Sequence, residues 1–156
     1  FTVYGPWGRP DMALFLFVKN ILQGKKIEVF NFGNHSRDFT YIDDIVNSVY
    51  KLIFKIPTKT KNNKFNDPST SNAPFEILNI GNSNPTKLMD YINEIEIQLQ
   101  KKAVKKFLPI QKGDLGSTFA SKKKLYKLIK FSPKTSMKLG IKKFINWYLD
   151  YYNLKK

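Results

Sequence analysis

The two arginines of this sequence are the residues best suited to bind an anion. All other members of the 27 basic residues are lysines, and Arg9 and Arg37 stand in loops beside predicted strands. A guanidinium can hold a phosphate or pyrophosphate through two parallel, charge-assisted hydrogen bonds, which an ammonium cannot do. The alternative is an ion pair that anchors the loop, for example between Arg37 and Asp38 or Asp44. Strand ends that carry such loops form the ligand edge of many α/β sheets.

The remaining reactive side chains give little support for catalysis or metal binding. Cysteine is absent and His35 is the one histidine, so thiolate and multi-histidine metal sites are excluded. We predict that His35 is a solvated loop residue. Tyr126 and Lys130 have the Tyr-x-x-x-Lys spacing, but they lie in a lysine-rich helix with no preceding serine or threonine. We therefore predict neither a catalytic residue nor a metal site in this chain.

The net charge of +15 raises the question of a nucleic-acid partner. Lysines are spread along the whole sequence, however, and proteins that read phosphates and bases favour arginine for its bidentate fork. A solvated lysine surface therefore explains the charge better, and we expect no nucleic-acid partner. No run approaches the roughly 20 apolar residues of a membrane span, and nothing resembles a signal peptide. We expect no membrane partner, and the lack of cysteine favours the cytoplasm.

Patterning in the first third of the chain predicts short strands and helices in alternation. Alternation and helical periodicity predict a strand at 1–4, a helix at 11–23, a strand at 27–30, an extended segment at 37–41 and a helix from about 43. In that second helix, Ile45, Val49 and either Leu52 or Ile53 have the spacing of a core-facing stripe. Asp43 and Asp44 lie in its first turn, where carboxylates complement the helix dipole.

The rest of the chain predicts one further strand–helix unit and two late helices. Residues 57–74 are polar and predict a surface loop. The apolar segment 75–81 predicts a buried strand that feeds a helix, which makes 75–101 a strand–helix unit of a parallel sheet. A strand at 104–108, a short helix near 122–131 and a helix at 137–152 follow. The chain is therefore α/β, with too few strand–helix pairs for a complete doubly wound domain.

Four segments of the sequence together resemble one enzyme family. They are "FTVYGPWGRPDMALF", "RDFTYIDDI", "LNIGNSNPTKLMDYI" and "LPIQKGD", in this order. The chain resembles the extended short-chain dehydrogenase/reductases, and among them the NAD-dependent nucleotide-sugar epimerases and dehydratases. "RDFTYIDD" is typical of the extended reductases in general, whereas "VYGPWGRPDMA" is similar to the UDP-glucuronate 4-epimerases.

The resemblance implies the fold and the reaction. It implies the C-terminal part of an extended Rossmann-type reductase, with the last strand–helix elements of the parallel sheet and a small mixed α/β substrate-binding domain at 1–156. The NAD-binding half would be absent, since the sequence contains no GxxGxxG. The whole enzyme would bind NAD and a UDP-sugar, oxidise C4, rotate the 4-keto intermediate, reduce it again and form a homodimer. This chain alone would be inactive.

Three alternatives to this interpretation stay open. A nucleotide-sugar dehydratase or decarboxylase of the same superfamily shares the "RDF" segment and the cofactor. A binding remnant without enzymatic activity, or a basic nucleic-acid-binding module, belongs to a different class.

The resemblance also assigns substrate-binding roles. Arg9 and Arg37 would contact the pyrophosphate, and Thr2 would help to hold the C5 carboxylate of the sugar, unless it merely fills a strand. Asp114 would lie near the uridine ribose, although an acid in a glycine-flanked loop is also ordinary turn chemistry. Gln111 occupies a position that is arginine in some galactose-type relatives.

A second group of residues would lie near the uracil of the substrate and the nicotinamide of the cofactor. Glu28 and Phe30 belong to the strand that would meet the uracil through main-chain groups. Tyr4, Gly5 and Pro6 would lie near the nicotinamide end of the cofactor in the whole enzyme.

Overall fold

The computed structural model describes residues 1–57 and 68–155. Its first strand, β1 (Thr2–Tyr4), pairs in parallel with β4 (Phe39–Tyr41), so that Thr2 lies opposite Phe39. A parallel pair requires a long crossover connection. Here the crossover contains α1 (Ala13–Leu22), within the predicted range of 11–23. The predicted strand at 1–4 and the extended segment at 37–41 are confirmed.

Two further strand pairs each take one strand from the crossover between β1 and β4. β2 (Ile27–Val29) pairs in parallel with β6 (Lys105–Phe107), and β3 (Ser36–Arg37) pairs antiparallel with β5 (Thr86–Lys87). The chain leaves β2 through a 3-10 turn at Phe30–Gly33, one residue earlier than the sequence predicts. Parallel and antiparallel pairs together with helices confirm the mixed α/β class.

The core forms where the helices cover the β1–β4 pair. α3 (Leu88–Leu99) packs against both α1 and α5 (Met137–Tyr151), and α4 (Lys123–Ile129) contacts the helix that follows β4. The apolar residues Ile92, Ile95 and Leu99 of α3 are buried, and the Tyr91 ring stacks on Phe39 at 4.1 Å between centroids. Among the described residues, none of the helices is both long and apolar enough to cross a bilayer.

Helix α2 (Ile42–Ile53) is rotated relative to the prediction. Its buried residues are Asp44 and Ser48. Of the residues predicted to face the core, Val49 and Ile53 are 48% and 68% exposed, whereas Ile45 and Leu52 are half-buried. The Asp44 carboxylate accepts hydrogen bonds from the backbone N–H groups of residues 134 and 135 at 3.1 and 2.8 Å. Asp44 therefore holds the segment before α5, because backbone N–H groups there need an acceptor. The apolar stripe of α2 faces outward as a result.

The predicted strand at 75–81 is not formed in the described part of the chain. An isolated bridge joins Glu76 to Thr70, and Phe75 and Ile77 are half exposed. A strand needs a neighbouring strand for its backbone hydrogen bonds. Apart from the bridge to Thr70, no strand in the described part of the chain pairs with this segment. The predicted loop at 57–74 lies largely outside the described residues. The helical part of the predicted 75–101 unit is α3.

The segment "RDFTYIDD" connects three loops to the β1–β4 pair. Asp38 is fully buried, and its carboxylate accepts from the N–H groups of Ser83 at 3.0 Å and Ala120 at 2.9 Å. The Thr40 hydroxyl accepts from Asn82 N–H at 3.2 Å. A side chain at Gly81 would lie 2.2 Å from Ala120 Cβ, so only glycine permits this approach. These contacts fix the position of the residue that precedes Asp38, which is Arg37.

Candidate functional site

A cavity of about 270 Å³ lies beside β1 and β3. Its polar lining includes Thr2, Glu28, His35, Arg37 and Asp114. Its apolar lining comes from helices α1, α3 and α5 and from β4, and includes Phe15, Phe39, Leu88, Tyr91 and Phe144. An apolar pocket with a few convergent polar groups is the usual form of a small-molecule site.

The loop at 111–117 brings Asp114 to this cavity. It makes a turn in which Asp114 N–H donates to Gln111 O at 3.1 Å, with Gly113 at a φ of 82°. After the turn, the chain runs beside β3 and is bonded to Ser36 twice. Ser36 N–H donates to Gly116 O at 2.9 Å, and Thr118 N–H donates to Ser36 O at 3.1 Å. The loop is therefore held by main-chain bonds, and its acidic side chain faces β3.

Arg37 and Asp114 form an ion pair at the cavity. Arg37 Nη2 lies 2.7 Å from Asp114 Oδ1, and Nη1 donates to Ser36 O at 3.1 Å. The side chain of Arg37 is only 17% exposed. The sequence left open an ion pair of Arg37 with Asp38 or Asp44, but those two carboxylates bind backbone N–H groups instead. A guanidinium has five N–H donors, and these bonds use two of them.

His35 is part of the same cluster, contrary to the sequence-based prediction of a solvated residue. It is 5% exposed, and its Nδ1 lies 3.1 Å from Leu115 O. Its Nε2 lies 3.4 Å from Asp114 Oδ2 and has no hydrogen-bond partner among the described residues. The backbone at His35 is anchored because Leu88 N–H donates to its carbonyl at 2.8 Å. Strand alternation could have indicated that His35 faces the cavity, because it lies two residues before Arg37 and residues two apart in a strand share a face.

Most of the residues predicted from the sequence meet at this cavity. Arg9 lies at its edge with its side chain 74% exposed and paired with Asp11, where Nε to Oδ1 is 3.0 Å. Pro6 and Gln111 lie outside the lining, and Gln111 is exposed. The predicted residues in the lining are Thr2, Tyr4, Gly5, Arg9, Glu28, Phe30, Arg37 and Asp114.

Tyr4 combines a place in the cavity wall with a place in the core. It is 5% exposed, and its ring packs edge-on against Tyr41 and Phe39 at 5.7 and 6.0 Å. Burial, followed by the proximity of Tyr41 and Asp44, raises the pKa of the Tyr4 hydroxyl far above its usual value. Tyr4 is therefore a neutral phenol. Tyr126, whose spacing to Lys130 imitates a catalytic pair, is exposed and outside the cavity.

Comparison with known proteins shows which family this chain resembles. Residues 1–66 match the model of the NAD dependent epimerase/dehydratase family. A 37.6 kDa protein of Escherichia coli O111:H- is 50% identical over 99% of this chain and 47% of its own length. The part of the chain at 1–66 is therefore similar to the NAD-dependent epimerase/dehydratase family. A probable UDP-glucuronate 4-epimerase of Rhizobium meliloti is 42% identical over 97% of the chain and 46% of its own length. The chain thus spans about half the length of these curated relatives.

A solved structure of this family confirms the extended Rossmann-type fold. It is UDP-glucuronic acid 4-epimerase from Bacillus cereus in complex with UDP-glucuronic acid and NAD. The TM-score is 0.81 at 32% identity, over 97% of this chain and 44% of that chain. The likeness covers nearly all of the present chain.

Because the matching family depends on NAD, the residues of this chain can be compared with the needs of a dinucleotide. The sequence has no GxxGxxG. In the described residues, each sheet consists of only two strands. A pyrophosphate of NAD requires a glycine-rich strand-to-helix turn. The described residues do not form such a site, although Tyr4 and Gly5 could contribute one wall of a larger one.

Proposed function

We propose that this chain forms the UDP-sugar-binding part of an NAD-dependent UDP-glucuronate 4-epimerase. The observation that supports the proposal most strongly is the Arg37–Asp114 ion pair at the cavity. It combines a fixed cation, suited to a pyrophosphate, with a carboxylate, suited to sugar hydroxyls. The 32% identical epimerase that aligns with this chain binds UDP-glucuronic acid, which supports the same ligand here.

Four polar residues of the cavity have a defined part in this proposal. Arg37 donates to the pyrophosphate, while Asp114 accepts hydrogen bonds from the ribose. Thr2 donates its hydroxyl to the carboxylate of the sugar. Arg9, which is exposed at the edge, leaves Asp11 to close on the pyrophosphate. Binding energy from the nucleotide, remote from the reacting carbon, would orient the sugar while its 4-keto form rotates.

The exposed stripe of α2 supports a further part of the proposal. Val46, Val49 and Ile53 are 57%, 48% and 68% exposed on one side of the helix. Such a stripe on a helix usually packs against another surface. We propose that it packs against a dinucleotide-binding portion of the whole protein. NAD bound there would accept a hydride from C4 and return it. The chain without that portion would show no turnover.

The test is turnover by the native gene product supplied with UDP-glucuronate and NAD. We expect a product of unchanged mass with inverted configuration at C4. Loss of water would indicate a dehydratase, and loss of carbon dioxide a decarboxylase; either result would contradict the epimerase proposal. Arg37→Ala should weaken substrate binding strongly. Lys127→Ala is the matched control, because it also removes a cation but lies on α4, outside the cavity lining.

A further inference from the structure

The segment between β1 and α1 consists of two consecutive β-turns. In the first, Gly8 N–H donates to Gly5 O at 3.1 Å, and in the second, Met12 N–H donates to Arg9 O at 3.2 Å. Each turn has a proline at its second position, where the fixed φ of proline is favourable. Arg9 therefore follows directly on the first turn, and the position of that turn determines where the Arg9 side chain begins.

Trp7 occupies the third position of the first turn in an unusual backbone conformation. Its φ is 62°. A positive φ at the third position, after a proline at the second, is the pattern of a type II turn, in which the third residue is normally glycine. Any other residue is disfavoured there because its Cβ approaches the following carbonyl oxygen. A residue in such a conformation needs other contacts to hold it, and such residues are common beside functional sites.

The contacts that hold Trp7 come from the C-terminal end of α5. Its ring lies 5.3 Å from the Trp147 ring and 5.0 Å from the Tyr151 ring, measured between centroids. Both distances lie within the range of favourable aromatic pairs. Trp147 packs in turn against Phe144 at 5.5 Å, and Phe144 is 1% exposed and lines the cavity. The surface beneath Trp7 is therefore attached to the core at the cavity wall.

Trp7 contributes little to the core itself. It is 73% exposed, so its contact with α5 removes only a small apolar area from water. Glycine at position 7 would fit the same turn without strain. The residue that gains from a fixed turn is Arg9, whose side chain is 74% exposed and paired with Asp11 of the second turn.

We propose that Trp7 is a positioning residue for Arg9. Its ring keeps the first turn against α5, which holds the Arg9 backbone at the edge of the cavity, where the guanidinium can leave Asp11 and reach a phosphate. Without the ring the turn would move relative to the cavity, and more conformational freedom would be lost when Arg9 binds. This inference rests on the proposed UDP-sugar function. It adds a residue outside the cavity lining that determines the affinity for the diphosphate.

Two substitutions at position 7 separate the ring from the turn. Trp7→Gly keeps the turn, because glycine readily adopts a positive φ, but removes the ring. Trp7→Phe keeps an aromatic ring that can pack on α5. If position 7 served only to form the turn, Trp7→Gly would bind the nucleotide as well as the wild-type protein does. Under the proposal, Trp7→Gly loses affinity and Trp7→Phe retains most of it.

The experiment is a double-mutant cycle in the native gene product, with affinity for UDP measured by calorimetry. Trp7→Gly and Arg9→Ala are made singly and together. We expect Arg9→Ala to weaken UDP binding about tenfold, the effect of one lost charge-assisted hydrogen bond. Trp7→Gly should weaken it about fivefold, as expected when one more long side chain must be ordered on binding. In the Arg9→Ala background, Trp7→Gly should have no further effect.

The outcomes that contradict the inference are defined by the same variants. Equal losses from Trp7→Gly with and without Arg9 would overturn it, because Trp7 would then act directly on the ligand or on the fold. Unchanged affinity in Trp7→Gly or in Arg9→Ala would overturn it as well, and so would a Trp7→Phe variant as weak as Trp7→Gly. Failure of the wild-type protein to bind UDP at all would instead refute the proposed function, so the two failures are distinguishable.

Discussion

Glu96 of α3 is a buried carboxylate whose removal should strongly destabilise the fold. It is 3% exposed, and its Oε1 accepts from Ala103 N–H at 2.9 Å and from the Lys105 ammonium. Oε2 lies 3.1 Å from Lys102 Nζ. These contacts connect the end of α3 to β6, which precedes the loop that carries Asp114. We predict that Glu96→Gln destabilises the protein far more than Lys102→Gln.

The magnitude follows from the exposure of each partner. Breaking a buried ion pair costs about 3 to 5 kcal/mol, because one charge is left without a partner. Lys105 is 20% exposed and can reach some water, so we expect about 3 kcal/mol for Glu96→Gln, at the lower end of the range. Lys102 is 87% exposed, and its removal should cost only about 0.5 kcal/mol. For a chain of this size, about 3 kcal/mol lowers Tm by roughly 6 to 12 °C.

The effect should depend on pH with a defined sign. Burial raises the pKa of Glu96, but the hydrogen bonds from Lys105, Ala103 N–H and Lys102 outweigh it and leave the pKa below its usual value. A depressed folded-state pKa stabilises the protein above the unfolded-state pKa of about 4.3, and this contribution is lost as pH falls through the lower folded-state pKa. The wild-type protein and Glu96→Gln should therefore converge in stability in acid.

Urea unfolding followed by tryptophan fluorescence measures these differences. The free energy of unfolding of the wild-type protein, Glu96→Gln and Lys102→Gln is compared at neutral pH and at about pH 3. A loss for Glu96→Gln below about 1 kcal/mol at neutral pH would refute the buried-pair argument. A gap that persists unchanged at about pH 3 would refute the assignment of the gap to the ionised carboxylate.

Three further substitutions test the site and its support. Arg37→Lys keeps the charge but loses the planar fork, so affinity for UDP should fall at least about tenfold by calorimetry, and unchanged affinity would contradict a role for the guanidinium. Asp38→Asn places an amide N–H₂ beside backbone N–H donors, which should cost about 2 to 3 kcal/mol in urea unfolding; a cost below about 0.5 kcal/mol would argue against Asp38 as the connection between the loops. Gly140→Ala places a Cβ 2.2 Å from the Tyr4 hydroxyl oxygen. It should destabilise the protein by about 2 kcal/mol, although alanine has the better helix propensity. An unchanged urea midpoint would show that α5 can shift to make room for the methyl group.

Local patterns predicted the elements whose neighbours lie close in the sequence or whose apolar stripe faces the core. β1, α1, α3 and α5 follow directly from alternation and helical spacing. Helix α2 has the same kind of stripe, but periodicity cannot tell which side of a helix faces the core. Its polar side turns inward because Asp44 and Ser48 satisfy buried hydrogen-bonding groups, one of them 90 residues away along the chain.

The candidate site depends on contacts that no local pattern contains. Arg37 and Asp114 were predicted as separate ligand-binding residues, but their ion pair spans 77 positions and depends on the main-chain bonds between β3 and the 111–117 loop. His35 depends on the same loop, since the carbonyl oxygen of Leu115 lies 3.1 Å from its Nδ1. The segment 75–81 has the composition of a buried strand, and composition alone cannot show whether a partner strand lies beside it.

A crystal structure of the native gene product with UDP-glucuronate tests the account most directly. We predict that the pyrophosphate lies within hydrogen-bonding distance of the Arg37 guanidinium and that the ribose faces Asp114 at the cavity beside β3. A nucleotide bound elsewhere, with Arg37 and Asp114 still paired and without contact to the ligand, would contradict the proposed function.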